Sequence, residues 1–265
     1  MDRQKLIASL AETREDQVLL ARVWDRYAAG ERKNIPTNTC FLSGREQILA
    51  RRLLERGGLG EPVLWGGVDR AERKVLCYVP DYYDAREFLE GEEGPVAALR
   101  VTCSGYDSLS HRDFLGSLMG QGIKREILGD IFPGEGHCDI LVLREMAEYL
   151  SRNLTQVGRA RVDTREIPLR ELQVPEQKVK VITDTVASLR LDSVLASGFQ
   201  LGRSKASVFI TAGKTEVNHM TVLKPDAFVA EGDIISVRGL GKVKVEKIKG
   251  QTKKDRTALV LHKYV

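Results

Sequence analysis

The residues best equipped for chemistry in this chain are cations set at a helix opening. Gly202-Arg203-Ser204-Lys205-Ala206 starts a stretch in which Ala206, Phe209 and Ile210 repeat at helical spacing, and Gly213 is placed to end it. A helix start leaves N–H groups unpaired and carries a partial positive charge, so it attracts anions, phosphate above all. Arg203 and Lys205 in that first turn oppose the dipole, which makes sense where an anion is to be held. Arg190 opens a shorter apolar stripe of Leu191, Val194 and Leu195 that Gly198 is expected to end, and Lys214 leaves the second helix. Past Val237 stand nine Lys or Arg, among them Arg238, Lys242, Lys244, Lys253 and Lys254, against Glu246 and Asp255. Ser204, Ser207 and Asn218 add groups able to bond sugar, phosphate or exposed bases. The bland alternative is a solvated basic tail. The tie of the cations to a helix opening and to paired turns favours a phosphate-binding surface.

Two short helices and a small, strongly turned sheet must position these groups. Gly232-Asp233 and Gly239-Leu240-Gly241 punctuate strands rich in Val and Ile. Arg190-Leu191-Asp192, Leu195, Arg203, Ile210, Gly213, Val217-Asn218 and Gly232-Asp233-Ile234 together resemble the signature of the S4 RNA-binding domain, over about 55 residues. Gly202 departs from the usual Ser, and Thr215 from the usual Val; Gly is tolerated at a helix cap and Thr is β-branched too. The resemblance implies RNA contact, and by charge and hydrogen-bonding type the residues expected to make it are Arg190, Arg203, Ser204, Lys205, Ser207, Lys214, Asn218, Arg238, Lys242 and Lys244. It does not imply which RNA.

Length and composition set the frame. The 265 residues allow two or three domains, and 42% hydrophobic with 29% charged residues fits a soluble globular chain. The net charge of +4 is uneven: from Thr183 onward 14 basic residues face 8 acidic ones, whereas the remainder holds 27 against 29. The excess of positive charge therefore sits in the C-terminal third, as a phosphate-tracking module requires. Cys40, Cys77, Cys103 and Cys138 are scattered without a CxxC pair, which argues against a disulfide framework or a zinc ribbon. No apolar run is long enough to span a bilayer and the first residues do not resemble a signal peptide, so a cytoplasmic location is expected.

Upstream, the spacing predicts helices through Leu6, Ile7 and Leu10, and through Val18 to Tyr27 with Gly30 ending the second. A Ser43–Glu46 capping box opens a third, which ends at Gly57-Gly58. A hairpin follows, from 62–65 and 74–79, then one more helix over 81–89. Phe41-Leu42 and Arg45-Glu46-Gln47 suit a structural staple, and Trp65, Tyr82 and Tyr83 suit core more than base stacking. From 96 to 167 the order is strand, helix, strand, strand, helix, strand, the ferredoxin-like (RRM-like) split βαβ arrangement that is a common frame for RNA binding. The expected fold is thus α+β, with an N-terminal α/β domain (1–93), a ferredoxin-like middle domain (94–168), a linker (169–182) and the S4 module with basic strands (183–265). An edge strand is expected at 178–182.

The middle domain holds no recognisable catalytic motif. His111-Arg112-Asp113 lacks the Asn a kinase loop needs, since Leu118 stands there, and Asp139 stands where a dinucleotide fingerprint needs Gly. His137-Cys138 has no partners at ligand spacing, so no metal and no cofactor is expected. Arg112, Lys124 and Arg125 form a basic rim, either a second RNA contact or a solubility feature.

Leu109 to Gly116, Gly122 to Glu126 and Gly129-Asp130-Ile131, with the Phe41–Gln47 stretch and the three-part layout, resemble the YlmH family of bacterial RNA-binding proteins over essentially the whole chain. The resemblance implies a non-catalytic factor on the large ribosomal subunit. It would bind subunits obstructed by peptidyl-tRNA and support C-terminal tailing of stalled chains in quality control. The implied partners are ribosomal RNA and tRNA, with no membrane and a monomer off the ribosome. The alternatives are an RNA-binding adaptor in cell division, to which the family has been linked by genomic neighbourhood, and an RNA-modifying enzyme. A pseudouridine synthase would need a Thr after Arg-Leu-Asp-x-x, where Leu195 stands. A methyltransferase would need a Gly-rich cofactor loop, which is missing.

Overall fold

Polar caps start the N-terminal helices. Asp2 caps α1 (Arg3–Leu10), and Thr13 with Asp16 makes a reciprocal box at α2 (Arg14–Lys33). After a two-residue strand β1 (Thr37–Asn38), Ser43 and Glu46 box α3 (Gly44–Gly57), as their spacing foretold. The staple reading of the neighbouring residues also holds. Arg45 donates to Asp16 at 2.6 Å, joining α3 to the opening of α2, and the Gln47 amide donates to the carbonyls of Leu42 and Glu72. Gly30 does not end α2, which runs on until Asn34 turns left-handed at φ 52°. A Cβ on Gly30 would lie 2.3 Å from Thr37 Oγ1, so this glycine serves close packing instead. Gly58, at φ 70°, does end α3.

The computed structural model describes residues 2–103, 109–252 and 255–265. Its contacts form two compact units, Met1–Pro175 and Glu176–Val265. In the first, β2 (Val63–Trp65) and β3 (Val75–Tyr78) pair antiparallel, with β1 on the other side of β3, and α4 (Ala85–Glu90) follows from an Asp84 cap. Then come β4 (Val96–Cys103), α5 (His111–Gly120), β5 (Leu128–Pro133), β6 (His137–Leu143), α6 (Arg144–Asn153), β7 (Gln156–Val157) and β8 (Ala160–Ile167). Their sheet runs β5-β6-β4-β8-β7, antiparallel throughout, which is the split βαβ order.

Both faces of that sheet are covered. Leu99, Val101, Ile140 and Val142 pack under Phe114 and Leu118 of α5 and Ala147 and Leu150 of α6. Val96, Ala98, Leu141 and Leu143 alternate to the other face and pack against Phe41, Val75, Cys77 and Leu89. Burying a side chain such as Phe41 stabilises by about 1.5–3 kcal/mol, so this layer is a second core rather than a loose contact. Further along the same face Asp139, fully buried, accepts two bonds of 2.7 Å from Arg100 and one of 2.8 Å from the Gln173 N–H. Arg100 also donates to the Glu171 carbonyl, and Leu169 and Leu172 pack nearby. Residues 169–173 are thereby laid against the first unit.

In the second unit β9 (Val179–Val186), α7 (Leu191–Phe199), α8 (Arg203–Thr211), β10 (Thr215–Val217), β11 (Met220–Thr221), β12 (Ile234–Val237), β13 (Gly241–Gln251) and β14 (Thr257–Tyr264) form a six-stranded sheet, β11-β10-β12-β13-β14-β9, with the helices on one face. β9 is an edge strand, as the alternation at 178–182 suggests. Gly198 is not a stop: α7 reaches Phe199 and Gln200 turns left-handed. A Cβ on Gly198 would sit 3.0 Å from Val243 Cγ1, so the glycine lets α7 lie close to β13. Gly213, at φ 65°, does turn the chain out of α8. Among the described residues no helix is long and apolar enough to cross a membrane.

Candidate nucleic-acid interface

The two helix openings in the second unit are finished differently. At α7 the N–H of Leu191 donates to the Ala227 carbonyl at 2.7 Å and that of Asp192 to the Pro225 carbonyl at 3.0 Å. Backbone thus closes that opening. At α8 the cap is Gly202, which has no side chain to offer, and Gly202, Arg203, Ser204 and Lys205 are all exposed. The N–H groups of this first turn face solvent, the arrangement that takes an anion.

Asp192 connects the two openings. Its side chain is 5% exposed and pairs with Arg190 at 3.2 Å and with Arg203 at 3.0 Å, while those arginines keep 36% and 53% exposure. Burial pushes the Asp192 carboxyl up, but the hydrogen bonds from Arg190 and then Arg203 outweigh it and hold the group below its usual range. One buried carboxylate therefore fixes two guanidinium groups in place and leaves a net positive charge beside the uncapped turn. Donors that Asp192 does not use remain free to fork onto phosphate. Lys205, on the outer face of α8, has no ion pair among the described residues.

The remaining sequence-predicted residues spread around this centre. Lys214 and Arg238 are neighbours, because the Arg238 N–H donates to the Lys214 carbonyl at 2.9 Å, and both are exposed. The Lys214 ammonium lies 6.0 Å from the Phe209 ring centroid. Ser207 is half-buried, its carbonyl accepting from Thr211 Oγ1. Asn218 is engaged by the fold: its amide donates to Asp233 at 2.8 Å and its oxygen accepts from the Ile234 N–H at 2.9 Å. Lys242 and Lys244 alternate with Val243 and Val245, which face the helices, so both lysines stand on the opposite face of the sheet. Lys244 pairs there with Glu246 at 2.8 Å. Lys253 and Lys254 lie outside the described residues. The part of Asp192 went unnoticed in the sequence because its two partners come from either side of a helix–helix corner.

In the first unit Arg112 and Lys124 are exposed, but Arg125 is half-buried and donates to the carbonyls of Leu128 at 2.7 Å and Gly129 at 3.1 Å. Burial, then the nearby Arg73, pushes Arg125 down to about 10. Arg73 donates to the Leu128 and Phe41 carbonyls, and Asp130 accepts the N–H groups of Glu72 and Arg73. Arg73 and Asp130 thus tie β5 to the N-terminal layer, while Arg125 braces the turn leading into β5 and belongs less to the rim than its neighbours. The opening of α5 is taken by Asp113, which accepts from the N–H and Oγ of Ser110 at 2.7 Å each. Cys77 and Cys138 are buried, and burial pushes the Cys77 thiol up to about 12. Among the described residues no group of three or more His, Cys, Asp or Glu is placed to hold a metal.

Residues 101–171 match the family model described as "Putative RNA-binding domain in YlmH". A Bacillus subtilis (strain 168) protein named "Ribosome-associated protein quality control protein P2" is 37% identical over 219 residues, spanning 82% of this chain and 83% of its own length. A solved structure titled "Cell division protein ylmH from Streptococcus pneumoniae" aligns with 62% of this chain and 98% of its own, at 21% identity and a TM-score of 0.48.

Proposed function

The chain belongs to the YlmH family, and from that premise we propose that it is a non-catalytic RNA-binding factor of the large ribosomal subunit, acting in ribosome-associated quality control. In this reading the S4 module (183–265) is the RNA clamp, and ribosomal RNA and tRNA on subunits obstructed by peptidyl-tRNA are its targets. The observation that carries the reading is the pair of arginines held by Asp192 beside the uncapped start of α8. Phosphate would be bound by Arg190, Arg203 and Lys205, by the N–H groups around Ser204, and by Lys214 and Arg238 at the edge. Ser207 would add a hydrogen bond. Asn218 and Lys244 would position the surface rather than touch RNA, and Arg112 and Lys124 would offer a second contact. Asp192, committed to two guanidinium groups, is a poor catalytic base or nucleophile, which supports a binding role over an RNA-modifying one.

About four to six phosphate contacts give a salt slope of roughly −3 to −5. Arg203→Ala with Lys205→Ala is expected to weaken binding to a labelled hairpin RNA irrespective of its sequence and to flatten that slope by about 1.5. A double variant with the wild-type slope would remove the α8 opening from the interface.

A further inference from the structure

Beside the arginine pair stands an aromatic ring that the fold does not bury. Phe228 is 76% exposed, more than any other large apolar side chain among the described residues. It is not on a loose loop. The Leu191 N–H donates to the Ala227 carbonyl at 2.7 Å and the Val229 N–H to the Leu189 carbonyl at 2.9 Å, so residues 190 and 228 face each other between two antiparallel hydrogen bonds. Such a non-hydrogen-bonded pair brings its Cα atoms to about 4.5 Å and puts both side chains on one face. Leu189 and Val229 alternate inward to the core, with Val229 only 4% exposed. The turn is closed by the Ala227 N–H on the Lys224 carbonyl, and the Asp192 N–H holds Pro225.

The geometry points to Phe228 as a stacking platform for an unpaired RNA base whose phosphate is held by Arg190 and Arg203. This inference rests on the RNA-binding reading above. Its own content is that the surface recognises single-stranded or extruded nucleotides rather than duplex backbone alone. Charge separates a base from a protein side chain as occupant. The ring shares its face with Arg190, Arg190 and Arg203 share one carboxylate, and the same turn carries exposed Lys224 and Asp226, so three cations stand against two carboxylates and the surroundings stay net positive. An aromatic set among cations is the composition of single-strand sites, where the π-face takes any base and the cations take the backbone. The fixed backbone lowers the ordering cost of binding.

The test uses the full chain and two RNAs: a hairpin whose unpaired loop carries a fluorescent adenine analogue, and a continuous duplex of the same length. Phe228→Ala is expected to bind the hairpin about 5- to 100-fold more weakly, with the salt slope and duplex binding unchanged and the fluorescence quenching lost. Phe228→Trp should keep affinity and quenching; Phe228→Leu should behave like Phe228→Ala. The side chain is exposed, so the variants should melt with the wild type. Wild-type affinity in Phe228→Ala, or full rescue by Phe228→Leu, would overturn stacking and leave the phosphate surface standing, provided Arg203→Ala, Lys205→Ala still binds weakly. Loss of co-sedimentation with ribosomal subunits while hairpin binding persists would instead make Phe228 a protein contact and also overturn stacking. Failure of the wild-type chain to bind either RNA would overturn both readings.

Discussion

A single buried carboxylate governs how the proposed RNA surface is displayed. Asp192 accepts from Arg190 and Arg203, and its carboxyl is held below the usual range, so its stabilising effect is present above the unfolded value of about 3.9 and is lost as pH falls through the lower folded value. Asp192→Asn keeps the shape and removes the charge. It is expected to cost the second unit about 1–3 kcal/mol at pH 7, with the gap between variant and wild type narrowing below about pH 4. Hydrogen-exchange protection of the α7 and β13 amides at the two pH values reads this out; equal protection at pH 7 would contradict it. At this scale the sequence was half legible. Arg190, Arg203 and Lys205 announce phosphate binding by type and spacing. That Asp192 anchors two of them depends on the corner between α7 and α8, and the pairing of exposed Asn218 with Asp233 depends on a loop 15 residues on.

Among the elements, helix starts were more legible than helix ends. A capping box is a local bond pattern, and Ser43–Glu46 forms where its spacing places it. A glycine, by contrast, has two uses that look alike in sequence. Gly58 and Gly213 turn left-handed and end helices, whereas Gly30 has no space for a Cβ and Gly198 would crowd Val243 with one. The split βαβ order could be read from alternation and helix spacing, but the occupation of its second face could not, because Phe41, Val75 and Leu89 reach it from distant elements. Gly129 marks that junction: a Cβ there would lie 2.8 Å from the Phe41 ring and 2.9 Å from Leu141 Cβ. Gly129→Val is expected to destabilise the first unit by about 1–3 kcal/mol. The urea midpoint followed by tryptophan fluorescence should drop, since Trp24 and Trp65 both lie in that unit, while the salt slope of RNA binding stays as in the wild type. An unchanged midpoint would mean that the N-terminal layer yields more easily than its packing suggests.

At the scale of the whole molecule the two units differ in charge and in cover. Residues from Thr183 onward carry the basic excess, and the second unit holds the uncapped helix opening. The first unit leans acidic and has both faces of its main sheet covered, so its proposed RNA contact is the exposed Arg112 and Lys124 rather than an open sheet face. Composition shows the first half of that contrast; the second needed the packing. Sedimentation of cell lysate on a sucrose gradient, probing wild type beside the Arg203→Ala, Lys205→Ala double variant, tests the central claim most directly. The wild type should travel with large ribosomal subunits and the variant should stay at the top. A variant that still travels with the subunits would take RNA binding away from the α8 opening, and a wild type that stays at the top would take the ribosome away as the main partner.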